Sequence, residues 1–447
     1  MDRKNVALLG LGVTGRAVVE RLSSKYQLYI YDEKISPREM VKNFPRTKWL
    51  SEKDIKNLDF AIKSPGIPPN NKVVRTLQRG KIPVFSDLEV FYQLYEPCMI
   101  TVTGTNGKTT VTAAIEYLLK DNKNVYTGGN IGKGVFGIET LKKEDILLLE
   151  CSSFQLHDVN FFHPKVAVIT NITSDHLDWH GSIENYRKSK LKMIQNMNQD
   201  DVLVLNIDDP YTCEIDLPPC EIEEVSMGQK VYQGIEIIDG NMIRNKHGER
   251  RILGHTRDFL IPGEHNMINL AQSILAVKSF GIKPEDAFEK LKSFPGVPHR
   301  LEFVTTIKGK HFYNDSKGTN PDSTNMALKA LSSSILLIAG GYDKKADFKP
   351  FFQQHKSRIK ALFLMGETAK SMGAAGKEAG IEEVFYVKNM KEAVEKAYHY
   401  GKSGDKILLS PACASWDMYK NFEERGQDFI HWVKELESET DEEKDER

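Results

Sequence analysis

"TVTGTNGKTTV", residues 101–111, closes one apolar run and opens another. The run before it, "MITVTG", has the β-branched content of a buried strand, and the run after it, "TTVTAAIEYLLK", has helical spacing. A glycine-rich turn between strand and helix presents backbone N–H groups and a helix dipole to phosphate. The usual loop reads Gly, four residues, then Gly-Lys-Ser/Thr. Here Gly107-Lys108-Thr109 is in place, but Val102 stands where the first glycine belongs, and Gly104 takes over that task. Lys108 can reach β and γ oxygens, and the Thr109 hydroxyl can ligate Mg²⁺. A plain tight turn would not require Gly-Lys-Thr-Thr at this point. The stretch predicts a shortened nucleoside-triphosphate site in an α/β domain.

Strand-like and helix-like runs alternate on both sides of this loop. Residues 1–96 carry "VALLGLG", "QLYIYD" and "DFAIKSPG" between helical stretches, which predicts a parallel sheet wrapped by helices. Residues 97–298 repeat the pattern with "DILLLECSS", "KVAVITNI" and "DVLVLNIDD". Within them, 213–262 hold Asp-Gly and His-Gly turns between alternating runs, so hairpins and a small β-rich part are expected. "SFPGVPHR" marks a second linker, and residues 299–436 alternate again through "SILLIAGG", "KALFLMG", "EVFYV" and "KILLSPA". The fold class is therefore α/β in three domains: a Rossmann-like first domain, a central phosphate-loop ATPase domain, and a Rossmann-like third domain. The acidic tail 437–447 is expected to be without structure.

The composition narrows the function classes. In 447 residues the formal charge is −1, which gives no general field for nucleic acid or an anionic membrane. No apolar run approaches the ~20 residues that span a bilayer. The five cysteines lack a Cys-x-x-Cys pair and read as free thiols in a reducing compartment, so the cytoplasm is the expected address. The chain is expected to act as a monomer.

Other strand ends carry candidate ligand contacts. "GLGVTGR" places Gly10, Gly12 and Gly15 after the first strand, with Val13 and Thr14 between them, and Asp32 closes the second strand. That is the dinucleotide fingerprint. It requires only that a pyrophosphate approach a helix N-terminus, so NAD and a UDP-sugar satisfy it equally. "KSPG" adds Ser64 and Gly66 as a second wall. "LLLECSSFQL" ends in Glu150, Ser152 and Gln155, and "VITNITSDHLDWHG" ends in Asn171, Asp175 and His176. Carboxylates at neighbouring strand ends suit Mg²⁺, for which Asp175 is the better ligand than His176 on donor chemistry. Asn266 and Asn269 start a helix, either as caps or as amide contacts to adenine. Arg300, Asp315, Lys317 and Thr319 follow the second linker at another phosphate-friendly turn; Lys344, Ser415 and Phe422 lie further on.

Gly-Thr-Asn-Gly-Lys-Thr resembles the signature of the Mur ligases and folylpolyglutamate synthases, ATP-dependent ligases that join an amino acid to a carboxylate. The Gly-Leu-Gly-x-Thr-Gly start favours the Mur ligases, and the long run from Ser410 through Asn-Phe-Glu-x-Arg-Gly matches them at the C-terminal end. The Asp-Asn-Pro-Arg stretch of the members adding the third residue is absent; "GGYDKKADF" stands there, departing from the commonest pattern at Tyr342-Asp343. The resemblance thus implies UDP-N-acetylmuramoyl-L-alanine, D-glutamate and ATP as substrates. It implies ATP contacts from Gly104, Thr105, Asn106, Gly107, Lys108, Thr109, Thr110, Asn266, Asn269, Arg300, Asp315 and Lys317. It assigns the UDP-sugar to Gly12, Val13, Thr14, Asp32, Ser64, Gly66, Asn130, Ser152 and Gln155, and D-glutamate to Thr319, Lys344, Ser415 and Phe422. It selects His176 over Asp175, and it implies catalytic roles for Lys108, Glu150, His176 and Lys190. Thr109, Glu150, His176 and Lys190 would hold Mg²⁺, Lys190 as a CO₂-derived carbamate. An oxidoreductase is the rival reading, and it leaves the loop at Gly104 unexplained.

Overall fold

In the computed structural model, short apolar runs ending in glycine or polar residues form twenty strands in three sheets among the described residues. Residues 3–445 are described, apart from 131–133, 139–140, 174, 332 and 343–346, and with backbone only at 41, 213, 322 and 441–445. The first sheet is wholly parallel, with β1 (Asn5–Leu9), β2 (Gln27–Tyr31), β3 (Thr47–Trp49), β4 (Phe60–Lys63) and β5 (Val84–Ser86) in the order β3-β2-β1-β4-β5. The order reverses between β1 and β4. Such a switch point, at the strand C-termini, is where parallel sheets bind ligands.

The second sheet has nine strands: β6 (Cys98–Thr103), β7 (Val125–Gly129), β8 (Ile146–Glu150), β9 (Val166–Ile169), β10 (Val202–Asn206), β11 (Glu221–Met227), β12 (Gly234–Ile238), β13 (Asn241–Lys246) and β14 (Glu249–His255). Strands β8, β9 and β10 are buried throughout, as their unbroken aliphatic runs require. The sheet is parallel from β7 to β12 and ends in two antiparallel hairpins, β12–β13 and β13–β14. Their turns are Asp239-Gly240 and His247-Gly248, all four residues at positive φ, the geometry that two-residue hairpins favour. The small β-rich part is thus an extension of the central sheet.

The third sheet runs β15 (Glu302–Ile307), β16 (Lys310–Asn314), β20 (Lys406–Leu409), β17 (Ile335–Ala339), β18 (Ile359–Leu364) and β19 (Val384–Tyr386). Only β15–β16 is antiparallel. By contacts the chain forms two compact units, Met1–Thr256 with Ile268–Leu291, and Arg257–Met267 with Lys292–Arg447. The first unit holds the first two sheets.

The acidic tail corrects the sequence expectation. The helix Phe422–Asp445 includes residues 437–445 of it. Glutamates and lysines are good helix formers, and no glycine or proline follows Gly426. Leu436 and Thr440 are buried, and Glu437 accepts a hydrogen bond from Thr305 Oγ1 at 2.5 Å, so the helix is anchored well past 436.

Candidate active site

The Gly104–Thr109 turn joins β6 to the helix Lys108–Leu119. Gly104 sits at φ +150°, and a Cβ there would run into Thr170 Oγ1; Gly107, at φ +83°, would strike the Asn269 amide. Glycine is therefore needed at both places. The loop is clasped by the end of β9: Thr105 N donates to the Asn171 carbonyl (2.8 Å), Asn106 N to Asn171 Oδ1 (3.0 Å), and Asn171 Nδ2 back to the Asn106 carbonyl (3.0 Å). Asn171 is a structural member of the site whose clasp was not predicted, although its place at a strand end was visible.

Two lysines converge on one carbonyl. Lys108 Nζ and Lys190 Nζ donate to Gly104 O at 2.9 and 2.7 Å. Lys190 is 1% exposed and lies over the Tyr186 ring. Burial first, then the nearby Lys108 charge, pull its amine down to about 7. Tyr186 OH in turn stands 3.0 Å from Thr105 Oγ1.

Glu150 ends β8, beside Val102 of β6, and is 2% exposed. Its Oε1 accepts from Asn130 Nδ2 at 2.9 Å, while its Oε2 is buried without a hydrogen-bond partner. A buried carboxylate oxygen left without a protein donor suits a hard cation such as Mg²⁺. Ser152 caps the short helix Ser153–Leu156 in a reciprocal box with Gln155, which already occupies both side chains. His176 caps the helix Leu177–His180 from a left-handed conformation (φ 51°); its ring faces Phe154 at 4.8 Å and reaches Asp175 at 3.5 Å. Among the described residues no three His, Cys, Asp or Glu side chains cluster as a preformed metal site. His180 is bonded to Ser153 Oγ (2.9 Å), and burial first of all lowers its pKa to about 4. It ties the His176 turn to the strand end at Glu150.

In the first sheet, a Cβ on Gly15 would run into the Gly10 carbonyl, whereas Gly12 and Gly66 face open space. Asp32 closes the turn by accepting from Leu11 N and Lys34 N, both at 2.7 Å, and Ser64 Oγ donates to the Gly10 carbonyl. Val13 and Thr14 begin the helix Val13–Leu22, with Val13 77% exposed at its mouth. The two glycine turns thus stand complete in the first unit with Asn130, Ser152 and Gln155.

In the second unit, Asp315 follows β16 and accepts from Ser410 Oγ (2.6 Å) and Leu301 N (3.1 Å). Burial raises its pKa to about 7. Lys317 is exposed, with Nζ 5.5 Å from the Phe422 ring centroid, and Thr319 N donates to its carbonyl. Arg300 is exposed on the loop before β15. Ser415 is buried one residue beyond Ala414, which bridges to Tyr342; Lys344 lies outside the described residues. Arg425, 1% exposed, braces this end through the Ser316 and Cys413 carbonyls. It had been visible only as one letter of Asn-Phe-Glu-x-Arg-Gly. Asn266 Nδ2 donates to the Pro262 carbonyl in its own unit, while Asn269 lies against Gly107 in the first.

Residues 102–277 match the Mur ligase middle domain, and 299–413 match the Mur ligase glutamate ligase domain. The chain is 39% identical to the UDP-N-acetylmuramoylalanine–D-glutamate ligase of Thermoanaerobacter sp. (strain X514), over 97% of this chain and 98% of that one. It is 35% identical to the enzyme of the same name from Alkaliphilus oremlandii, over 98% and 99%. The fold is similar to that of UDP-N-acetylmuramate-alanine ligase from Thermotoga maritima, with TM-score 0.55, 18% identity, and coverage of 97% and 99%. With a shortened phosphate loop, a buried Glu150 and kinship over nearly its whole length, the chain belongs to the Mur ligase family.

Proposed function

We propose that the chain joins D-glutamate to UDP-N-acetylmuramoyl-L-alanine in peptidoglycan precursor synthesis, at the expense of ATP. The observation that carries this reading is the pairing of two lysines on the Gly104 carbonyl with the unpartnered Glu150 oxygen at the adjacent strand end. Such a site can set the Lys108 charge against a triphosphate and offer an anionic oxygen to the triphosphate's Mg²⁺. The L-alanyl carboxylate attacks the γ-phosphate in line, forming a carbonyl–O–P bond and releasing ADP. The amine of D-glutamate then attacks the acyl carbon, and the tetrahedral adduct expels phosphate to leave an amide. Carboxylate is a poor electrophile in water, so the phosphoryl group is what turns its oxygen into a leaving group.

Lys108 would meet charge growing on the transferred phosphoryl group, joined by Arg300. Thr109, Glu150, His176 and Lys190 would hold Mg²⁺, which when bound supplies further charge neutralisation at the phosphates. A carbamate on Lys190 would convert a repelled cation into an anionic ligand, and an amine that is half neutral near pH 7 can react with CO₂. Thr105, Asn106, Thr110, Asn266, Asn269, Asp315 and Lys317 complete the ATP contacts in this reading. The sugar nucleotide is assigned to Gly12, Val13, Thr14, Asp32, Ser64, Gly66, Asn130, Ser152 and Gln155. Thr319, Lys344, Ser415 and the backbone near Phe422 would take the D-glutamate carboxylates. Among the described residues no helix is long and apolar enough to cross a membrane. The reaction is assigned to the cytoplasm and to a single copy of the chain.

The test is phosphate release with UDP-N-acetylmuramoyl-L-alanine, offering D-glutamate, L-glutamate and L-lysine in parallel. Release dependent on D-glutamate alone is expected. Equal release with L-lysine would reassign the third substrate.

A further inference from the structure

Lys63 is the last residue of β4, and its side chain is 1% exposed. Taking an ammonium out of water costs several kcal/mol unless partners replace its hydration. Here the partners are Asp158 Oδ2 at 3.0 Å, the Ile67 carbonyl at 2.8 Å, and the face of Trp179 at 5.4 Å from its centroid. Asp158 is itself fixed: its other oxygen lies 2.8 Å from His157 Nδ1, and its carbonyl accepts from Ser86 N at 3.0 Å.

Each partner belongs to a different working segment of the first unit. Ile67 closes the Ser64–Pro65–Gly66 turn, where Ile67 N donates back to the Ser64 carbonyl. Asp158 comes just after the helix Ser153–Leu156, which Ser152 and Gln155 cap. Trp179 lies in the helix that starts at His176, and packs on Phe154 at 5.0 Å and His180 at 4.4 Å. One cation therefore joins the turn at the switch point of the first sheet to two strand-end segments of the second. A pair serving only to fasten two sheets together would need one carboxylate, and not a carbonyl of the binding turn as well.

We propose that Lys63 is a positioning residue that sets the Ser64–Gly66 turn in register with Ser152, Gln155 and His176, so that a substrate gripped at the first sheet presents its carboxylate beside Glu150. The inference rests on the reading of the sugar nucleotide given above. Misplacement of a bound group by about 1 Å can cost on the order of 10²-fold in rate. The backbone of the phosphate loop is clasped by Asn171, and none of the partners of Lys63 bonds to it directly, so KM for ATP should change far less than KM for the sugar nucleotide.

The experiment compares Lys63→Met, Lys63→Arg and Asp158→Asn with the unaltered full-length chain, measuring kcat and the KM of each of the three substrates alongside the melting temperature. Lys63→Met and Asp158→Asn are expected to raise KM for UDP-N-acetylmuramoyl-L-alanine about tenfold, with KM for ATP within about twofold. Lys63→Arg, which keeps the charge, is expected to recover part of that loss. If Lys63→Met fails to fold, Asp158→Asn carries the test, because it removes the charge without changing shape. A lowered melting temperature with all three KM values unchanged would overturn the inference and leave a purely structural ion pair. Absence of turnover by the unaltered chain would instead contradict the reading on which the inference rests.

Discussion

The turn after β1 and the turn after β6 share one backbone design and differ in the charged side chains that hold them. Both follow a parallel strand at a place where the sheet order reverses, and both open a helix with glycine. In the first, Asp32 takes the N–H groups of Leu11 and Lys34, and Arg16 Nε donates to the Leu11 carbonyl at 3.2 Å. In the second, Lys108 and Lys190 both donate to the Gly104 carbonyl, and Asn171 clasps the backbone. A helix N-terminus attracts phosphate in either case. In the function proposed above, the first turn only holds a pyrophosphate, while the second, with Lys108, meets a phosphoryl group that is moved.

This contrast is broken most severely at Lys108. Lys108→Ala is expected to lower phosphate release by about 10³-fold or more, as loss of a transition-state cation does, while calorimetric binding of the UDP-sugar stays unchanged. Loss of UDP-sugar binding in that variant would undo the division of labour. Next in size is Gly15→Ala, whose new Cβ meets the Gly10 carbonyl; a loss of about 2–4 kcal/mol in denaturant unfolding is expected. Gly12→Ala is its control. With open space at that position, stability should change by less than about 1 kcal/mol, while UDP-sugar binding weakens.

Asp32→Ala sharpens the comparison from the other side. It should raise KM for the UDP-sugar by about tenfold and leave KM for ATP within about twofold. A pH-dependent effect is expected at Asp87, a buried carboxyl near the first sheet that burial raises to about 6. Burial makes its ionisation costly. Its folded pKa lies above the model-peptide range, so its stabilising contribution is complete below about pH 4 and is lost as pH rises through about 6. Asp87→Asn should therefore raise the unfolding free energy at pH 8 by an amount on the order of 1–3 kcal/mol, and the gain should vanish as pH falls toward 4. A gain independent of pH would assign it to packing.

Features set by neighbouring residues were readable from the sequence. The glycine turns, the hairpins at Asp239-Gly240 and His247-Gly248, and the aliphatic strands β8 to β10 depend on spacing within a few residues. The β15–β16 hairpin was passed over: its turn is Lys308-Gly309, and its strands alternate too weakly to stand out beside the fully buried strands that follow. Lys63 and Arg425 were the harder cases. A lysine after "FAI" and an arginine in "NFEERG" carry no local sign of burial, because the carboxylate and carbonyls that permit it lie 95 residues away at Asp158 and 109 at Ser316. The acidic tail failed for the opposite reason. Its composition suggested disorder, but helix propensity and the anchoring at Leu436 and Thr440 prevail.

The central claim is that the carboxylate oxygen itself is phosphorylated beside Gly104 before any amine arrives. The direct measurement is oxygen transfer, using UDP-N-acetylmuramoyl-L-alanine labelled with ¹⁸O in the L-alanyl carboxylate, ATP and D-glutamate, with mass analysis of the released phosphate. One labelled oxygen in each phosphate, matched to amide formed, is the expected result. Unlabelled phosphate accompanying amide would contradict the account.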